Sequence, residues 1–248
     1  MKIGDRDVYV WLLAAPEDAD DRRAARALDL LDAGERARMD RFRDARDARR
    51  YLFAHALART TLSRYAPDIA PGAFRFRVGS HGRPELEGEL GAGSLRFNIS
   101  HTAGLVACAV TRARDVGVDV ENLYPPRWGE DTCLEIAESH FAPAEAAGLA
   151  ALPAPERRAR FFEIWTLKEA YIKARGLGLA LPLGGFAFDS SGPEVGVRFE
   201  PGVDDSGPDA WSFARFRPTP RHALAVAARR APGEALAVHV CEAGSDSP

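Results

Sequence analysis

Residues 161–176 read FFEIWTLKEAYIKARG and predict one long amphipathic helix. Strong helix formers fill the stretch, Pro155 stands shortly before it, and Gly176 is typical of a helix C-terminus. At about 100° per residue, apolar and mixed side chains separate onto opposite sides. The apolar side gathers Phe161, Ile164, Leu167 and Tyr171, and the mixed side gathers Phe162, Trp165, Glu169 and Lys173.

The mixed side of this helix has two interpretations. Glu169 and Lys173 stand four positions apart, and an exposed ion pair at that spacing would contribute roughly a few tenths of a kcal/mol. The neighbouring rings of Phe162 and Trp165 argue against simple solvation of that side. A half-buried Glu–Lys pair beside aromatic rings would instead suit a site that holds a metal ion and a phosphate.

A second strong pattern is residues 116–121, VGVDVE, which alternates like a strand. Its valines share one face and seek the core, while Gly117, Asp119 and Glu121 share the other face. Strand rise places the two carboxylates about 7 Å apart. They predict either an ordinary edge strand with a wet acidic face or one half of a hard-cation site. Oxygen ligands without His or Cys would favour Mg²⁺ over zinc.

Polar side chains follow the strand predicted for residues 94–99. Ser100, His101 and Thr102 can donate hydrogen bonds to phosphate oxygens. A lone His at a strand end is more often structural, so both interpretations stay open. Upstream, residues 80–84 read SHGRP, which by default is a surface turn with a solvated Arg83.

Basic residues are distributed unevenly along the chain. Between positions 35 and 50 they mix with acidic ones, which predicts a salt-bridged, solvated helix surface. Of 33 basic residues, only Lys2, Lys168 and Lys173 are lysines, and two of the three lie in the helix of residues 161–176. Because an ammonium is a compact point charge suited to a crowded phosphate, this placement points to that helix.

Length and composition limit the class of protein. The chain has 248 residues, enough for one large domain or two small ones, and 46% hydrophobic residues supply a core. A net charge of −3 argues against a general nucleic-acid partner. There is no apolar run near the roughly 20 residues that span a bilayer, and the N-terminus does not resemble a signal peptide. Three scattered cysteines argue against disulfides or structural zinc, so a cytoplasmic protein is expected.

Strand and helix patterns together predict an α+β protein made of two similar subdomains. The first would comprise residues 1–114 and the second residues 115–241, followed by a disordered tail at 242–248. Strands are predicted at 7–13, 74–78, 94–99, 105–111, 116–121, 195–199, 211–216, 223–228 and 235–241, with two helices in 22–65 and further helices in 131–176.

Several frequent enzyme motifs are absent from the sequence. Lysine never follows glycine, so there is no Walker A loop, and G-x-G-x-x-G, G-x-S-x-G and H-E-x-x-H do not occur. These absences disfavour P-loop NTPases, Rossmann dehydrogenases, α/β-hydrolases and zincins.

Four segments, in this order, resemble the two-domain 4′-phosphopantetheinyl transferases of the surfactin-synthetase-activator class. They are GRP at 82–84, FNISHT at 97–102, VGVDVE at 116–121 and FEIWTLKEAYIKARGLGL at 162–179. The last is the most specific, because it combines an aromatic residue, Thr, Lys-Glu-Ala and a further Lys four positions after the Glu. The resemblance implies a pseudo-dimer of two α+β subdomains, with the active site and coenzyme A in the cleft between them.

The resemblance also implies a role for each matching residue. Asp119, Glu121 and Glu169 would bind Mg²⁺, which bridges the pyrophosphate of coenzyme A. Arg83 stands where many members of the family carry Lys. Lys173 and His101 would contact phosphates of coenzyme A, and Ser100 and Thr102 would line the nucleotide site. Arg50 and Arg83 would hold the 3′-phosphate, with Arg36 and Arg38 as further N-terminal contacts. Lys168 would also contact phosphate, although its helical angle is nearer the apolar side.

The implied reaction transfers 4′-phosphopantetheine from coenzyme A to a serine of an apo acyl, peptidyl or aryl carrier protein, releasing adenosine 3′,5′-bisphosphate. Glu169, Asp119 and Lys173 would be the catalytic residues. Glu169 is the expected base, with Asp119 or a metal-bound water as alternatives. We expect a monomer with neither a nucleic-acid nor a membrane partner.

Two other functions compete with this interpretation. A Mg²⁺-dependent nucleotidyl transferase or phosphohydrolase could use the same acidic strand and would act on nucleotides without a protein acceptor. A non-catalytic module could bind carrier proteins or coenzyme A, although such a module would more naturally have lost Asp119, Glu169 or Lys173.

Overall fold

In the computed structural model of the chain, two β-sheets face each other and a long helix covers the outer face of each. The structure describes residues 1–14, 16–79, 83–88, 95–126, 128–129, 131–204 and 206–244. The first half comprises β1 (Asp7–Ala14), α1 (Asp21–Leu30), α2 (Ala33–Met39), α3 (Ala45–Tyr65), β2 (Phe76–Val78), β3 (Pro84–Leu86), β4 (Leu95–Thr102) and β5 (Leu105–Arg112). The second half comprises β6 (Val116–Asn122), α4 (Thr132–His140), α5 (Pro143–Ala150), α6 (Ala154–Arg175), β7 (Phe186–Asp189), β8 (Gly196–Phe199), β9 (Trp211–Thr219), β10 (His222–Arg229) and β11 (Ala237–Glu242).

Aspartate N-caps divide residues 22–65 into three helices, where the sequence predicted two. Asp20 caps α1, and Asp44 caps α3. Asp32 and Glu35 form a reciprocal capping box at the start of α2. Each cap satisfies backbone amides that have no intrahelical partner at a helix start.

The helix predicted for residues 161–176 is the second half of α6. Gly176 ends it in the left-handed conformation at φ 66°, which a residue without Cβ adopts easily. None of the helices formed by the described residues is long and apolar enough to cross a membrane.

The first sheet has the strand order β11-β1-β5-β4, and the second has the order β6-β10-β9. Paired strands are antiparallel except β1 and β11, which run parallel with Asp7 opposite Ala237. Two short hairpins, β2-β3 and β7-β8, form separate pairs, and β3 and β7 had no counterpart among the predicted strands.

The domain boundary at residue 114 stays a prediction. β6 begins the second sheet shortly after that position, but β11 places residues 237–241 of the predicted second subdomain in the first sheet. Of the predicted disordered tail at 242–248, Glu242 ends β11, and residues 245–248 lie outside the described part of the chain.

An apolar layer between the two sheets joins the halves of the chain. Val118 and Val120 of β6 have no exposed surface and share one core cluster with Val8 and Val10 of β1. The core-facing valines predicted from the alternation are thus confirmed. Side chains of α3 pack on the other face of the first sheet, and side chains of α6 pack on the other face of the second.

The other face of β6 lies directly against α6. A Cβ atom built on Gly117 would lie 2.0 Å from the carbonyl oxygen of Ala170 and 2.4 Å from the amide nitrogen of Ala174. Only glycine permits this approach. The contact brings Glu169 and Lys173 of α6 beside the acidic side chains of β6.

Candidate active site

A cavity of about 780 Å³ opens between the two halves of the chain. Side chains from α2, α3 and β4 line one side, and side chains from β6 and α6 line the other. Trp165, Glu169 and Lys173 lie in its wall, whereas Phe162 is buried in the core. The residues predicted for the site that line the cavity are Arg38, Arg83, Ser100, His101, Asp119, Glu121, Glu169 and Lys173.

Asp119 stands at the centre of the polar wall and is only 3% exposed. Its Oδ1 accepts hydrogen bonds from Lys173 Nζ at 2.7 Å and from Ser100 Oγ at 2.9 Å. Its Oδ2 is buried and has no hydrogen-bond partner among the described residues. A buried carboxylate oxygen without a partner is costly, so this atom is a natural ligand for a bound cation.

The pKa values of Glu121 and Glu169, the acidic residues that β6 and α6 place in the cavity beside Asp119, respond to its charge. Burial raises the pKa of Glu121 to about 8, and the negative charge of Asp119 adds to the shift. Burial and the same charge raise the pKa of Glu169. Lys173 opposes both shifts. Because each carboxylate resists ionisation of the next, a bound cation would stabilise all three in their charged form.

A magnesium site fits this donor set in chemistry, but it is not preformed. All three acidic side chains offer oxygen, which hard divalent cations prefer. Across the described ranges, however, no three His, Cys, Asp or Glu side chains form a ready metal-binding cluster. Lys173 neutralises Asp119 instead, with its side chain 28% exposed. The carboxylates would therefore have to rearrange around a cation as it binds.

His101 lies on the cavity side of β4. Desolvation by the surrounding wall lowers its pKa, and the positive charges of Lys173 and Arg50 act in the same direction, although the residue keeps an exposed surface. Together with Lys173, it lines this part of the cavity with nitrogen atoms that can donate hydrogen bonds.

Arg83 bridges several elements at the edge of the cavity. Its Nη1 donates to the carbonyls of Lys173 and Ala174 at the end of α6, at 2.8 and 3.0 Å. Its Nη2 donates to the carbonyls of Phe97 in β4 and Val116 in β6. Arg83 is not the solvated arginine expected of a surface turn, because it is partly buried and its burial lowers its pKa. Residues 80–82 of that predicted turn lie outside the described part of the chain. The contact of Arg83 with the 3′-phosphate stays a prediction.

Comparison with known proteins places the chain in a family. A family model described as the 4′-phosphopantetheinyl transferase superfamily matches residues 115–227, and one described as 4′-phosphopantetheinyl transferase, N-terminal, matches residues 18–113. The 4′-phosphopantetheinyl transferase HetI of Nostoc sp. is 33% identical over 174 residues, which is 70% of each chain.

The chain belongs to the 4′-phosphopantetheinyl transferase superfamily.

Two further relatives agree with this assignment. The 4′-phosphopantetheinyl transferase Sfp of Bacillus subtilis is 32% identical over 162 residues, covering 65% of this chain and 67% of that one. The 4′-phosphopantetheinyl transferase pptA of Paxillus involutus is 27% identical over 227 residues, covering 84% of this chain and 81% of that one. The predicted enzyme class, a 4′-phosphopantetheinyl transferase, is confirmed, and the two competing functions lose support.

The structure corrects the role expected for Lys168 in this transferase. Lys168 has no exposed surface, and its Nζ lies 2.7 Å from Glu145 Oε2. The same ammonium donates to the carbonyls of Leu183 and Phe186. All of its donors are directed into the protein on the apolar side of α6, so Lys168 does not line the cavity and is not placed to contact phosphate.

Three other residues predicted to contact coenzyme A are not among the described residues that line the cavity of the transferase. Arg50 donates to Glu17 at 3.2 Å and pairs with Asp47, and its charge acts on His101. The Thr102 hydroxyl donates to Glu121 Oε2 at 3.3 Å. Arg36 donates to a backbone carbonyl. Their contacts with the nucleotide stay predictions.

Apart from Arg38, the residues that α2 and α3 contribute to the cavity were not predicted from the sequence. Glu35 is 8% exposed and accepts a hydrogen bond at 2.7 Å from His55 Nδ1, whose ring lies 4.1 Å from that of Tyr51. The fully buried Arg59 pairs with Glu35 at 2.7 Å. The mixed-charge pattern predicted a solvated surface here. The only signal in the sequence for a structural role of the Glu35 carboxylate is its spacing from Asp32, which is typical of a helix capping box.

Proposed function

We propose that this transferase uses Mg²⁺ and coenzyme A to attach 4′-phosphopantetheine to a serine of an apo acyl, peptidyl or aryl carrier protein. The observation that carries the proposal is the buried Oδ2 of Asp119, which has no hydrogen-bond partner in the described part of the chain and lies in one cavity with Glu121, Glu169 and Lys173. The three carboxylates would bind a cation and Lys173 would bind a phosphate, and a donor that contains a pyrophosphate requires both kinds of contact.

Asp119, Glu121 and Glu169 would hold the metal ion. Mg²⁺, when bound, supplies positive charge that stabilises the pyrophosphate as the phosphoryl group is transferred. Lys173 would contribute a second positive charge from α6, since its ammonium is partly exposed to the cavity. His101 would donate a hydrogen bond to a phosphate oxygen from β4.

The carrier serine oxygen would attack the β-phosphorus of coenzyme A in line with the bond to the leaving oxygen. That bond breaks as the new phosphodiester forms, and adenosine 3′,5′-bisphosphate leaves. Glu169 would accept the serine proton. Glu169 is suited to this role because it lines the cavity that would receive the serine. Asp119 and Lys173 complete the catalytic group that we propose.

The test is the intact mass of an apo carrier protein after incubation with the full chain, coenzyme A and Mg²⁺. We expect a gain of one phosphopantetheine, lost in EDTA and reduced at least about 100-fold in rate by Glu169→Gln. A lack of gain with fatty-acid and peptide-synthetase carriers, despite tight coenzyme A binding, would contradict the proposal. The monomeric state and the cytoplasmic location stay predictions from the sequence.

A further inference from the structure

β4 and β6 lie side by side where the two sheets meet, yet they belong to different sheets. The other edge of β6 pairs with β10, so alternate amides of β6 need partners on the β4 side. Side chains of β4 supply them. Asn98 Oδ1 accepts from the Val118 amide at 2.9 Å, Ser100 Oγ from the Val120 amide at 3.2 Å, and Thr102 Oγ1 from the Asn122 amide at 3.1 Å. We call these three residues the side-chain ladder.

Two members of the side-chain ladder also hold the acidic side chains of the cavity. Ser100 Oγ donates its only hydrogen to Asp119 Oδ1 at 2.9 Å, while accepting from Val120 and from Lys173 Nζ. The bond fixes Oδ1 and leaves Oδ2 as the oxygen for which the described ranges supply no partner. Thr102 Oγ1 donates to Glu121 Oε2 at 3.3 Å in the same manner.

Asn98 differs from the other two members. It completes the same type of contact to β6, but no hydrogen bond joins it to a carboxylate among the described residues. The chain therefore contains a control within the ladder. Asn98 joins the strands and lines the cavity without a bond to a carboxylate among the described residues, while the other two members join the strands and also hold carboxylates.

We propose that Ser100 and Thr102 are positioning residues that set Asp119 and Glu121 for the metal ion, rather than contacts to the nucleotide. This inference rests on the proposed function, because it concerns the Mg²⁺ site of that reaction. Hydroxyl groups that orient metal ligands commonly change metal affinity strongly when they are removed. Thr102 lies outside the residues that line the cavity, which fits an indirect role.

The test uses the full chain with coenzyme A bound, and Mg²⁺ is titrated into it in a calorimeter. We expect Thr102→Val, which removes the hydroxyl but keeps the shape, to weaken Mg²⁺ binding about tenfold. Thr102→Ser should restore it, and Ser100→Ala should weaken it similarly. The KM for coenzyme A at saturating Mg²⁺ should change less than about twofold. Asn98→Ala should lower the melting temperature without this loss of Mg²⁺ affinity.

Other outcomes would overturn the inference. An increased KM for coenzyme A with unchanged Mg²⁺ affinity would make Thr102 a nucleotide contact. Equal loss of Mg²⁺ affinity in Asn98→Ala and Thr102→Val would mean that the ladder acts only by joining the strands. Absence of Mg²⁺ binding by the unaltered chain would also overturn it. Absence of transfer by a chain that binds Mg²⁺ would instead contradict the proposed function.

Discussion

Lys168 and Lys173 stand five positions apart on α6 and have opposite surroundings. Lys173 reaches Asp119 and Ser100 at the cavity. Lys168 is enclosed by backbone carbonyls, the carboxylate of Glu145 and the ring of Phe186, 4.4 Å away. At the scale of single residues, Lys173 therefore lies in the candidate site, whereas Lys168 joins α6 to α5 and to the segment that follows α6.

This difference predicts different effects of the same substitution on activity. Lys168→Met should lower the free energy of unfolding by about 3–5 kcal/mol, because it leaves the buried Glu145 carboxylate without its cation. The kcat/KM of the remaining folded protein should change little. Lys173→Met should reduce kcat/KM, and it should also destabilise the metal-free chain, because it leaves the buried Asp119 carboxylate without its ammonium partner. Urea denaturation and transfer kinetics on both variants measure these changes.

The matched double variant Lys168→Met with Glu145→Gln should recover part of the lost stability, since the unpaired charge is gone. A Lys168→Met variant with unchanged stability and a raised KM for coenzyme A would show that Lys168 contacts the substrate after all.

At the scale of elements, the contact between β6 and α6 determines the geometry of the site. Two acidic residues come from β6, and Glu169 and Lys173 come from α6. Gly117 permits the close approach, because its position would place a Cβ atom within 2.0 Å of helix backbone. The separation of strand and helix therefore determines whether one cation can contact all three carboxylates.

Gly117→Ala should separate the two elements. We expect a loss of stability of at least about 1–3 kcal/mol from overpacking. We also expect a fall of roughly 100-fold in kcat, because a displacement near 1 Å misaligns the reacting groups. Thermal unfolding and transfer kinetics provide the measurements.

Gly148 in α5 is the control for this prediction. A Cβ atom there would meet nothing within 4 Å, so Gly148→Ala should be neutral or stabilise by up to about 1 kcal/mol through its higher helix propensity. Similar behaviour of the two alanine variants would show that the strand–helix contact is not tight.

At the scale of the whole molecule, β11 connects the end of the chain to its beginning. It pairs in parallel with β1 and lies at the opposite edge of the first sheet from β4. β4 is the strand of that sheet that contributes Ser100 and His101 to the cavity. Without β11, the backbone groups of β1 would lose their partners and form a new sheet edge.

A chain ending at Leu236 should therefore unfold at a lower temperature. The lost backbone hydrogen bonds contribute about 1 kcal/mol each, and a net loss near 2 kcal/mol lowers the melting temperature by about 4–8 °C. Below that temperature, kcat/KM should be retained, because the site lies at the other edge. The control is Val240→Thr, which keeps the strand and changes one side chain that is 40% exposed. A truncated chain with unaltered melting would contradict the prediction.

The sequence by itself determined the features that depend on near neighbours along the chain. The alternation at 116–121 predicted a strand with buried valines. The spacing within 161–176 predicted a helix whose mixed side lines the cavity, except for the buried Phe162. The aspartate caps and Gly176 mark helix ends for the same reason, since each acts on amides or carbonyls within a few residues. The four ordered motifs were sufficient to predict the family.

The tertiary structure decided which polar groups meet. Ser100 and Thr102 face β6 because two sheets meet edge to edge there, and Lys168 is buried because α5 supplies Glu145. Similarly, β11 belongs to the first sheet because it pairs with the opposite end of the chain. A local pattern specifies which face of an element is apolar, but the partner of each polar side chain depends on the element that packs against that face, which only the folded chain determines.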